Sequence, residues 1–84
     1  MSQLQKLLLS LLSGRGDQNI RFADLVKLLE YFEFDVRING SHHIFSKSDV
    51  AEIINLQPRG SLAKPYQVKQ VRDLVVKYKL DITE

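Results

Sequence analysis

Leu4, Leu7, Leu8, Leu11 and Leu12 recur three and four positions apart. That spacing predicts an amphipathic helix over residues 2–12. The run Ser13-Gly14-Arg15-Gly16-Asp17 is polar, holds two glycines and ends it. The same period returns at Phe22, Leu25, Leu28, Leu29 and Phe32, predicting a second helix from about Phe22 to Tyr31. Asp24 falls in its first turn, where the helix dipole favours an anion. Arg21 stands where a Ser or Thr cap is expected.

The period then drops to two. Phe34-Asp35-Val36-Arg37-Ile38 alternates apolar and polar, as a half-buried strand does. Asn39-Gly40 is a strong hairpin signal. A second strand is expected from His42 to Ser46, a polar turn at Lys47-Ser48-Asp49, and a third strand from Glu52 to Leu56. Gln57-Pro58-Arg59-Gly60-Ser61 leaves the sheet. Pro65 suits the first position of a final helix, whose stripe is Val68, Val71, Leu74, Val75 and Tyr78. Tyr31, Tyr66 and Tyr78 fall at helical positions and read as packing residues. The order α-α-β-β-β-α predicts an α+β domain of two layers, a three-stranded antiparallel sheet with helices on one face.

Eighty-four residues suit one domain, here 1–84. A hydrophobic fraction of 44% with 26% charged residues suits a globular fold rather than a disordered chain. Lys6 to Leu12 is far below the roughly 20 apolar residues that span a bilayer. It lacks a small-residue cleavage site and reads as a helix, so a cytoplasmic protein is expected, with no membrane partner. The absence of cysteine excludes disulfides, zinc–thiolate sites and a cysteine nucleophile.

Charge is uneven. Residues 1–35 hold four basic and five acidic side chains, and residues 36–84 hold eight and five. The halves therefore carry −1 and +3, and a polyanion would approach the second half first. That half also holds both histidines, His42 and His43, directly after Gly40-Ser41. Histidine both takes and gives protons near neutral pH. Alternation puts His42 with Ile44 and His43 with Phe45 and Lys47. Phe45 belongs in the core, which argues that His42 faces outward, but Ile44 would then face out as well, so the period favours His42 only slightly. A metal site would need a third ligand, and Asp49 is the only nearby carboxylate, so neither metal nor cofactor is expected. Lys69 and Arg72 are three apart on the last helix and could hold phosphates. Lys69 could equally pair with Asp73, and Asp73 with Lys77, at i,i+4.

Gly40-Ser41-His42-His43-Ile44-Phe45 closely resembles the signature of the HicA family of toxins from bacterial toxin–antitoxin modules. Ile54-Asn55-Leu56-Gln57-Pro58, and the later Lys64-Pro65-Tyr66-Gln67-Val68-Lys69-Gln70-Val71-Arg72, resemble the segment that closes the domain in one branch of that family. The match covers roughly residues 22–79, leaving residues 1–14 as an N-terminal helical extension. The resemblance implies a fold similar to a double-stranded-RNA-binding domain, metal-independent cleavage of messenger RNA, and inhibition by a HicB-type antitoxin. Carried over from the family motif, the catalytic histidine is His42, acting as general base or general acid. The second proton transfer falls to water, His43 or a lysine. Gly40, Ser41 and His43 flank the substrate, and Lys47, Lys64, Lys69 and Arg72 are the expected phosphate contacts. Two other readings stand beside this one: an RNA-binding module without catalysis, and a protein-interaction domain whose open face meets only a protein partner.

Overall fold

A computed structural model describes residues 2–82. Its elements run α1 (Gln3–Ser13), a single 3₁₀ turn (Asp17–Asn19), α2 (Phe22–Tyr31), β1 (Asp35–Asn39), β2 (His42–Lys47), β3 (Val50–Leu56) and α3 (Pro65–Lys77). The architecture is the expected α-α-β-β-β-α, with strands in the antiparallel order β1-β2-β3.

α1 is bounded by local signals, and α2 starts on a tertiary one. At the start of α1 the Ser2 hydroxyl accepts from the Gln5 amide at 3.1 Å, and Gln5 Oε1 accepts from the Ser2 amide at 3.3 Å. This reciprocal pair satisfies two amides that the first turn leaves free. Gly14, at φ +69°, closes α1 in the left-handed region. Arg21 contributes no side-chain cap to α2. The 57–63 loop stands in: the Ser61 carbonyl accepts from the Phe22 amide at 3.0 Å, and the Ala63 amide donates to the Ile20 carbonyl at 2.8 Å. A tertiary contact thus replaces the missing Ser or Thr.

The hairpin turn consists of Gly40 and Ser41, between the paired residues Asn39 and His42. Only Gly40 has positive φ, at +62°. A positive φ at the first central position alone is the type II′ arrangement, rather than the type I′ turn that Asn-Gly would form at both central positions. The second turn uses only Ser48 and Asp49, so β3 starts at Val50, two residues before the position expected from its isoleucines.

Phe45, Ile54 and Leu56 point from the sheet into the core, where they join Leu25 and Leu29 of α2 and Val68 and Val71 of α3. Leu8 and Leu11 of α1 belong to the same core, so the N-terminal helix is built into the domain. Leu12, expected in the apolar stripe, is exposed. Tyr66 is 66% exposed rather than packed, because it shares the outer stripe of α3 with Lys69 and Asp73. Among the described residues, no helix is long and apolar enough to cross a membrane.

Candidate functional site

Strand alternation sends the two histidines to opposite sides of the sheet. His43 lies on the helix side, half-buried, with its ring edge-on to Phe22 at 4.9 Å between centroids. Its Nδ1 sits 3.4 Å from the Ser41 carbonyl oxygen. His43 therefore does not stand beside His42 as a second proton carrier. His42 is exposed on the open face, and its Nδ1 lies 3.1 Å from Oδ1 of Asn55. Asn55 pairs with Ile44, so it is the diagonal cross-strand neighbour of His42 on the same face.

A chain of polar contacts runs outward from this pair. Gln57 Nε2 donates to the Ser41 hydroxyl at 2.9 Å, and Lys64 Nζ donates to Gln57 Oε1 at 3.4 Å. Gln67 of α3 lies beneath, 3% exposed. Its Oε1 accepts from the Gln57 amide at 3.2 Å, and its Nε2 donates to the Asn55 carbonyl at 3.3 Å. The last rung of β3 is thus closed by a side chain rather than by a strand. Among the described residues, every buried side-chain nitrogen and oxygen has a partner.

Asn55, Gln57 and Gln67 do not stand out in a search for charged or nucleophilic side chains. A signal for Gln67 exists: it is a polar residue four positions before Val71 and seven before Leu74, inside the apolar stripe of α3. A buried amide there must find backbone partners. Asn55 lies between Ile54 and Leu56 and so faces away from the core.

The expected phosphate contacts separate. Lys64 is tied to Gln57 and through it to Ser41, next to His42. Lys47 is at the other end of β2, about 17 Å along the strand at some 3.4 Å per residue, and pairs with Asp49 at 2.9 Å. Lys69 pairs with Asp73 at 3.1 Å on the solvent side of α3. Asp73 does not go on to Lys77, which reaches Glu52 of β3 at 2.7 Å instead.

Arg72 turns the other way, toward the N-terminal segment. Its Nη1 and Nη2 donate to the two carboxylate oxygens of Asp17 at 2.8 and 3.1 Å, and Nη1 also donates to the Leu11 carbonyl at 3.2 Å. Both side chains are about one-fifth exposed, at 19% and 21%. The Asp17 carboxylate raises the pKa of the guanidinium above its ordinary value. Arg72 is a clamp between α3 and α1, and its fork is occupied. The expectation that it shares a phosphate-binding face with Lys69 is corrected: three residues apart on α3, the two side chains reach different neighbours.

Among the described residues, no group of three or more His, Cys, Asp or Glu side chains is placed to hold a metal ion. Compared with protein families, curated proteins and solved structures, the chain has no significant match.

Proposed function

We propose that this chain is a HicA-type toxin, an endoribonuclease that cleaves messenger RNA without a metal and is inhibited by a HicB-type antitoxin. The reading is carried by the His42–Asn55 pair, which stands on an exposed sheet face straight after the Gly40-Ser41 turn. With Asn55 Oδ1 as acceptor, Nδ1 carries the ring proton and Nε2 presents a lone pair to solvent.

That lone pair is suited to general base catalysis. A ribose 2′-hydroxyl gives its proton to Nε2 as its oxygen attacks the adjacent phosphorus. The P–O5′ bond breaks, and the departing oxygen takes a proton from water or from the Lys64 ammonium. The products are a 2′,3′-cyclic phosphate and a 5′-hydroxyl. A positioned acid–base group contributes roughly 10²–10⁴-fold, so the enzyme is slow by nuclease standards. Lys64 is the cation best connected to the site, through Gln57 and Ser41.

The test compares purified wild type with His42→Ala. The variant should lose RNA cleavage and growth arrest while its circular dichroism stays unchanged, because His42 is exposed. Cleavage should also survive EDTA. Equal cleavage by the variant overturns the assignment of His42, and cleavage that EDTA abolishes and a divalent ion restores overturns the metal-free chemistry.

A further inference from the structure

β1 is an edge strand, and all five of its residues are exposed. Val36 and Ile38 are the telling ones. Both point to the helix side of the sheet, since they pair with Phe45 and His43, yet they remain 41% and 62% exposed. The helix layer covers β2 and β3 and stops short of β1. The hairpin closes on Asn39 and His42, a hydrogen-bonded pair in a two-residue turn. Alternation along an antiparallel ladder then turns the amide and carbonyl of Val36 and Ile38 to the free edge. An apolar edge with unpaired backbone groups is a template for another strand.

Charge selects which strand fits. Asp35, Arg37 and Asn39 share the open face. When β1 pairs antiparallel with a second β1, three registers let Val36 and Ile38 form the ladder bonds. Pairing Val36 with Ile38 brings Arg37 against Arg37, which is unfavourable. Pairing Ile38 with Ile38 sets Arg37 against Asn39 and leaves Asp35 without a cation. Pairing Val36 with Val36 sets Asp35 of each copy directly opposite Arg37 of the other, giving two symmetric ion pairs. On the helix side it gathers Val36 and Ile38 of both copies into one strip, in the trough that the two helix layers leave open.

We propose that β1 is a self-association edge: two copies of this chain join β1 to β1 about a two-fold axis at Val36, forming one six-stranded sheet. The interface is isologous, since the same patch serves both copies. It rests on the fold alone and holds whether or not the chain cleaves RNA.

Sedimentation velocity across a wide concentration range tests it. The wild type should show a reversible monomer–dimer equilibrium. Asp35→Arg and Arg37→Asp should each weaken association by at least about fivefold, since two opposite-charge pairs become like-charge pairs. The double variant Asp35→Arg/Arg37→Asp should restore it, because the swapped charges face each other again. Val36→Pro, which removes an edge amide, should abolish it, with circular dichroism confirming that the sheet persists. A chain monomeric at every concentration overturns the proposal. A dimer indifferent to all four variants overturns it as well, by placing the contact elsewhere. Single variants that weaken association without rescue in the double variant overturn the register. A monomeric chain whose β1 variants weaken binding to some other protein would assign the edge to that partner and overturn pairing with a second copy.

Discussion

Nδ1 of His42 and Oδ1 of Asn55 are 3.1 Å apart on the open face of the sheet, one at the start of β2 and the other near the end of β3. The contact holds the imidazole against β3. In the proposed function Asn55 is a positioning residue for His42.

Asn55→Ala should therefore lower RNA cleavage by part of the roughly 10²–10⁴-fold that an acid–base group supplies, with little change in thermal stability because Asn55 is exposed. Single-turnover cleavage by Asn55→Ala, with circular dichroism to confirm the fold, checks this. Cleavage equal to wild type would show that the contact does not position the ring.

Gln67→Ala leaves the Gln57 amide and the Asn55 carbonyl without their partner. Each of these part-buried hydrogen bonds contributes about 0.5–1.5 kcal/mol, so urea unfolding should show a loss of about 1–3 kcal/mol. The end of β3 should loosen as well, and amide exchange at Gln57 should rise more than amide exchange in α2.

Period and turn chemistry made the fold legible. The leucine stripe of α1, the two-residue period of β1 and the Pro65 start of α3 each reappear within a few residues of their expected bounds. The hairpin was legible as a hairpin but not as a type II′ turn, because Asn-Gly and Gly-Ser overlap at Gly40. His42 was legible from its place after Gly40-Ser41, and only weakly from alternation, because Ile44 shares its face. Its partners were not: the Asn55, Gln57 and Gln67 amides carry no charge, and their importance depends on how β3 meets α3. The basic residues misled for the opposite reason. Charge is visible along a chain, but whether a cation is already paired is a tertiary fact. Arg72 and Asp17 lie 55 positions apart.

Arg72→Ala should destabilise the fold rather than weaken phosphate binding alone. It removes a two-pronged carboxylate contact and a bond to the Leu11 carbonyl. Charged hydrogen bonds contribute about 1.5–3 kcal/mol each before partial exposure is discounted, so a loss of about 2 kcal/mol is expected. Arg72→Lys should recover only part of it, since an ammonium cannot match the planar fork. Chemical denaturation of both variants and of Asp17→Ala decides this, and the Arg72→Ala/Asp17→Ala double variant should cost less than the sum.

Acid stability should depend on Glu52. Hydrogen bonds from Lys77 and from the Tyr78 hydroxyl, at 2.7 and 2.6 Å, lower its pKa to about 2 from the ordinary 4.5. A carboxylate whose pKa is depressed by folding contributes stability that is complete above its unfolded value and vanishes as pH falls through its folded one. Its contribution should thus be constant above about pH 5 and disappear between pH 4.5 and pH 2. Urea midpoints of the wild type and Glu52→Gln should differ at neutral pH and converge toward pH 2. A constant gap across that window would show that the carboxylate is not what the two donors recognise.

The last prediction separates the cations by their surroundings. Lys64 is linked through Gln57 to the Gly40-Ser41 turn, whereas Lys47 and Lys69 are engaged by Asp49 and Asp73 away from His42. Each phosphate contact releases counterions and adds close to one unit to the slope of log K against log salt, about 0.7 for a single strand. Lys64→Ala should reduce that slope by about 0.7 and weaken RNA binding. Lys69→Ala should leave it nearly unchanged, since the exposed pair with Asp73 neither orders the site nor reaches it. Binding measured at several salt concentrations with the cleavage-inactive His42→Ala protein keeps the RNA intact during the titration. Equal slopes for Lys64→Ala and the parent would move the RNA off this end of the sheet. A reduced slope for Lys69→Ala would instead extend its path along the outer stripe of α3, past the exposed Tyr66.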